Sequence, residues 1–123
     1  MEARLDYTKL AQEPIKAMYA LGGYLARCGL EERLLELVKI RASQINGCAY
    51  CIDMHTKDAR GGGETEQRIY ALSAWRETPF FTDRERAALS WTEAVTRIGD
   101  GVTDAANEEA RQHFTEKELV ALT

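Results

Sequence analysis

The sequence predicts an all-α domain, and three observations carry that prediction. Apolar residues recur at steps of three and four along most of the chain, the spacing of a single helical face. No segment alternates apolar and polar residues convincingly enough to be a strand. Only two prolines interrupt 123 residues, and the breaks between periodic segments are marked by glycines or helix-capping sequences. The length suits one domain, residues 1–123, able to bury a core without cross-links. About six helices are expected.

The first should begin near Pro14, whose missing N–H suits the first helical position, and end at Gly29. Ile15, Met18, Leu21, Leu25 and Cys28 form its apolar stripe, weakened in the middle by Gly22-Gly23. On that stripe Cys28 reads as a small core hydrophobe. A second helix, roughly 31–45, carries Leu34, Leu35, Leu37, Val38, Ile40 and Ile45 around nearly its whole circumference. It should therefore be buried on most sides. Glu36 lies among these residues, and a carboxylate there needs a charged or hydrogen-bonding partner. Asn46-Gly47 supplies a left-handed stop.

A third helix follows to about Arg60 and ends at Gly61-Gly62-Gly63. A fourth, from Glu64 through Trp75, has Ile69, Leu72 and Trp75 as its inner face and stops before Pro79. Thr82-Asp83-Arg84-Glu85 is a capping box opening a fifth helix, with Ala88, Leu89, Thr92, Val95 and Thr96 at helical spacing. Gly99-Asp100-Gly101 breaks it, and a sixth runs from Thr103 or Asp104 through Phe114. A second capping box, Thr115 to Glu118, opens a short apolar segment to Leu122. At two turns it is shorter than most helices. It reads as the start of a longer C-terminal region or as a helix completed by another subunit.

Composition excludes several functions. A net charge of −4 without any basic run disfavours nucleic acid. No apolar run reaches the roughly 18 residues of a membrane span. The charged start, Met1-Glu2-Ala3-Arg4, lacks a secretory h-region, so a cytoplasmic location is expected. Three cysteines are too few for a disulfide scaffold. In a reducing compartment a close pair points to catalysis or metal binding.

That pair is Cys48 and Cys51, in Asn46-Gly47-Cys48-Ala49-Tyr50-Cys51-Ile52-Asp53-Met54-His55. At about 100° per residue, Cys48, Cys51 and His55 fall within roughly 60° on the third helix. Both thiols occupy its first turn, where unpaired N–H groups and the dipole favour thiolate. The two-residue spacer lets the sulfurs close a small disulfide, one attacking and the other resolving. His55, one turn beyond Cys51, can take its proton or stabilise the thiolate. Glu36, at comparable depth on the antiparallel neighbour, is the candidate to orient His55.

The same residues have two other possible uses. Cys48, Cys51, His55 and Glu36 could nominally bind zinc. Three of them on one continuous helix, with no second cysteine pair, fit that less well. Inert core thiols would make His55 a costly filler. His113 reads as a surface or helix-end residue, and Asp53, Asp58, Glu64 and Glu66 as solvated faces.

The spacing E-x11-C-x2-C-x3-H, with Trp75 to Thr82 and Glu85 to Leu89, resembles the small single-domain branch of the AhpD-like alkylhydroperoxidases, within the carboxymuconolactone decarboxylase-like superfamily. The resemblance covers most of the chain from about Lys9. It implies an all-helical fold assembling into a symmetric oligomer, a trimer or hexamer, with a further helix beyond Thr123. It implies antioxidant hydroperoxide reduction: Cys51 attacks, Cys48 resolves, and His55 and Glu36 relay protons. A thiol or dithiol must then reduce the disulfide. No cofactor and no metal are implied. The residue before the second cysteine departs from the pattern, because the better-known enzymes place a relay histidine where this chain has Tyr50. A phenol does not exchange protons at neutral pH as an imidazole does. A disulfide substrate, with a peroxiredoxin-like partner, is the alternative this raises.

Overall fold

The computed structural model describes residues 4–123, and among these every regular element is helical. Eight α-helices form: α1 (Tyr7–Leu10), α2 (Gln12–Leu25), α3 (Glu32–Asn46), α4 (Ala49–Gly61), α5 (Glu66–Ala71), α6 (Asp83–Thr96), α7 (Asp104–Arg111) and α8 (Glu116–Leu122). Short 3₁₀ segments follow α5 (Leu72–Glu77) and α6 (Ile98–Asp100). The excess over the expected six comes from α8, the short helix that the second capping box opens, and from α1. That single turn is held by the Asp6 side chain, which accepts from the Lys9 N–H.

Helix α3 is the spine. It packs along α4 on one side and α6 on another, which is why it is apolar almost all round. Leu37 and Ile40 have no exposed surface, and each contributes about 1.5–3 kcal/mol by leaving water. Around them lie Leu72, Trp75 and Leu89, while Leu34 meets Trp91 and Phe114 in a second cluster. Both capping boxes form, with Thr82 paired to Glu85 and Thr115 to Glu118, so α6 and α8 start where the sequence marks them.

Three expectations need correction. Helix α2 starts two residues before Pro14 and buries none of its residues: Met18 is 73% and Leu21 60% exposed. The middle of its stripe therefore faces outward, while Ile15 and Leu25 are partly buried. Cys28 is only partly buried, packed against the Leu34 cluster. Glu64 is not on a solvated face but 2% exposed. Its Oε1 accepts from the Thr65 N–H and Arg68 Nε at 2.9 Å and from Arg33 Nη2 at 3.3 Å. Two donors from the next turn of chain and one from α3 make that burial tolerable.

Candidate redox site

The α3–α4 hairpin builds the site. Gly47, at φ +64°, ends α3 in the left-handed region, which costs glycine nothing sterically. The Cys48 N–H then returns to the Ser43 carbonyl at 3.0 Å, closing the turn so that Cys48 becomes the N-cap of α4. The Cys51 N–H points at Cys48 Sγ, 3.3 Å away. Cys48 and Cys51 are joined as a disulfide, with Cα atoms 5.3 Å apart. Both are half-buried at the positive end of α4, while Tyr50 between them projects into solvent, 74% exposed.

One turn beyond Cys51, His55 lies half-buried against α3. Its Nδ1 is 3.1 Å from Glu36 Oε2, with side-chain exposures of 18% and 13%. The antiparallel packing brings Glu36 and His55 to one depth. Lys39 Nζ donates to Glu36 Oε1 at 2.8 Å, so the carboxylate is held from both sides. The structure thus places all four predicted residues on one hairpin, and His55 and Glu36 in direct contact. His113 lies elsewhere, just beyond α7, where its carbonyl accepts from Arg84.

Two neighbours lie beside the four predicted residues: Lys39, and Asp58, which the sequence assigns to a solvated face. Lys39 is one helical turn from Glu36, a spacing that commonly pairs opposite charges. Asp58, exposed on α4, brings a carboxylate oxygen within 4.8 Å of donor atoms of both Glu36 and His55. Its position three residues after His55 was the available signal.

The carboxymuconolactone decarboxylase family model matches residues 13–94, which includes the whole hairpin. The chain belongs to that family, and within it is AhpD-like. It is 45% identical to the uncharacterized protein YdfG of Bacillus subtilis (strain 168), covering 99% of this chain and 84% of YdfG. It is also 30% identical to the uncharacterized protein YnjA of Escherichia coli (strain K12), over 79% of this chain and 53% of that protein. A crystal structure from Agrobacterium tumefaciens superposes with a TM-score of 0.94 at 47% identity, covering 99% of this chain and 84% of the other. That protein is of unknown function and has been suggested to be an antioxidant defence protein AhpD. The family name refers to a lactone decarboxylation, yet this AhpD-like member carries a Cys-x-x-Cys pair.

Proposed function

We propose that the chain is a thiol-dependent hydroperoxide reductase of antioxidant defence. The observation that carries this reading is the Cys48–Cys51 disulfide at the start of α4, one turn from a His55 bonded to Glu36. Cys51 thiolate attacks the terminal peroxide oxygen; the S–O bond forms as the O–O bond breaks. The departing alkoxide takes a proton from His55 and leaves as alcohol. Cys48 thiolate then attacks the sulfenic sulfur of Cys51, and hydroxide departs as water on taking a proton. The two electrons come from the dithiol, and an external thiol or dithiol restores it. Glu36, 3.1 Å from its Nδ1, keeps His55 oriented.

The assembly we propose is a homo-oligomer, because α2 offers Met18, Tyr19 and Leu21 to solvent along one chain segment. No helix among the described residues is long and apolar enough to cross a membrane, and the working location is the cytoplasm. A second reading is favoured by Tyr50: an exposed aromatic between the two cysteines suits a protein substrate. The same dithiol would then pass electrons to a peroxiredoxin-like disulfide partner, with little direct peroxide consumption.

Peptide-mapped mass spectrometry decides between these. The protein is reduced, freed of reductant anaerobically and given one equivalent of cumene hydroperoxide. Rapid formation of the Cys48–Cys51 disulfide with Cys28 still free supports the peroxidase. Persisting peroxide with three free thiols rejects it, and a disulfide-substrate assay then tests the electron carrier. Lactone decarboxylation would instead survive removal of both cysteines, as would any role in which the thiols are inert.

A further inference from the structure

Beside Glu36, residues of α3, α4 and the segment after α4 line a partly open cavity of about 30 Å³, while about 10–15 Å³ accommodates one water. Four carboxylates line it, from Glu32, Glu36, Asp58 and Glu64, against one guanidinium, that of Arg33. Lys39 and Arg68 pair with Glu36 and Glu64 from outside the lining, and the carboxylates still outnumber the cations. Two further observations point to a ligand of a particular kind. Donor atoms of Glu36, His55 and Asp58 lie within 4.8 Å of one another, a mixed nitrogen and oxygen set. And Glu64, 2% exposed, has an Oε2 atom with no hydrogen-bond partner among the described residues. A buried carboxylate oxygen left unpaired is costly, and such an atom commonly marks a bound water or ion.

We infer that Glu36, His55 and Asp58 form a binding site for a divalent first-row cation, with zinc as the best-matched ion. Three protein donors leave a fourth position for water, the open pattern of zinc bound by imidazole and carboxylates. Zinc–donor bonds of about 2.0–2.2 Å put tetrahedral donors about 3.3 Å apart. His55 Nδ1 and Glu36 Oε2 already stand 3.1 Å apart, so the ion replaces the proton between them. Asp58 is exposed, and its carboxylate closes on the ion from a starting separation within 4.8 Å of the other donors. Glu64, with its unpartnered Oε2, lines the same cavity as Glu36 and Asp58. Lys39 Nζ, on the other oxygen of Glu36, is half-exposed and need not leave. The thiols take no part, which separates this site from one built on Cys48 and Cys51.

Binding here does not depend on the peroxidase reading. Its consequence does: an ion on Glu36 and His55 would occupy both proton-handling groups.

The test uses the full chain in its disulfide form, so that neither Cys48 nor Cys51 can bind metal, and titrates zinc chloride by calorimetry. The expected result is one saturable site, weakened at least about tenfold by Asp58→Asn and unchanged by His113→Ala. Anomalous scattering at the zinc edge from soaked crystals should place the ion between α3 and α4. Absence of saturable binding, equal affinity in Asp58→Asn, or loss of binding in His113→Ala would each overturn the assignment. Because the assay involves no peroxide and no free thiol pair, its failure says nothing against the redox chemistry.

Discussion

Replacing Glu36 by alanine tests the proton relay at its least redundant point. Glu36 Oε2 and His55 Nδ1 are 3.1 Å apart, and both side chains are more than four-fifths buried. Water therefore substitutes poorly for the lost carboxylate. A hydrogen bond to a charged group contributes about 1.5–3 kcal/mol. If His55 is cationic when it supplies a proton to the leaving alkoxide, that amount is lost from the transition state. At 1.36 kcal/mol per decade, the rate should fall about 10-fold to 150-fold. Glu36→Gln keeps an oxygen for the Nδ1–H but no charge, so it should lie between the native protein and Glu36→Ala. The assay is stopped-flow oxidation of the reduced protein by cumene hydroperoxide, read by tryptophan fluorescence. Alkylation of Cys51 by iodoacetamide, followed across about pH 5 to 9, provides a second readout. A merely structural role for Glu36 would lower stability and leave the alkylation profile alone. If Glu36→Ala reacts within twofold of the native rate, with the same pH profile, the relay assignment is wrong.

The other predictions concern the thiols and the frame around them. Cys48→Ser should accumulate a sulfenic acid on Cys51 that dimedone captures, whereas Cys51→Ser should not react with peroxide; capture on Cys48 in the latter would reverse the two roles. His55→Ala should slow iodoacetamide alkylation of Cys51 at neutral pH, and an unaltered rate would remove His55 from the mechanism. Stability should fall in acid. Burial opposes the charge of Glu93, but hydrogen bonds from Trp75, Arg41 and Arg76 outweigh it and hold the carboxyl below its usual value. Burial likewise opposes Glu85, where Arg68 prevails, and the Arg84 hydrogen bond lowers Glu31. Because the folded values lie below the unfolded ones, their stabilisation is complete above about pH 4.5 and is lost as pH drops through the folded values. A urea midpoint that stays constant from about pH 6 down to pH 3 would refute this.

The helices were legible because their period is local. Capping boxes at Thr82 and Thr115 and the stop at Gly47 are decided by a few neighbouring residues, and the structure starts or ends helices there. The site was legible for a similar reason: Cys51 and His55 share one helix with Cys48 as its N-cap, and a short turn fixes where the neighbouring helix lies. What escaped depends on distant segments. The burial of Glu64 relies on Arg33 from α3 and on Arg68, whose guanidinium also holds Glu85 and the Phe80 carbonyl. The Glu64–Arg68 pair is four residues apart and local, but Arg33, Glu85 and the Phe80 carbonyl lie outside any window around Glu64. Nor does the stripe on α2 say what covers it, since amphipathic spacing looks the same for a helix facing its own core and one facing a partner.

Because α3 is shared between the site and the core, stability and chemistry can be separated by mutation on its far side. Five residues beyond Glu36, the buried Arg41 turns away from α4 and meets Glu93 of α6, Nε to Oε1 at 2.9 Å. Trp75 Nε1 donates to the same oxygen at 3.0 Å and Arg76 to the other at 2.6 Å. Glu93→Ala would leave a guanidinium that is only 9% exposed without its counter-charge, a loss of about 3–5 kcal/mol. Glu93 contacts none of Cys48, Cys51 or His55, so molecules that remain folded should oxidise at the native rate. Urea denaturation and stopped-flow oxidation on one sample read both quantities. A destabilisation below about 1 kcal/mol would show that the pair resembles an exposed ion pair. A native-like stability with slowed oxidation would show instead that the α3–α6 contact reaches the thiols, and that the hairpin is not the self-contained frame its turn and hydrogen bonds describe.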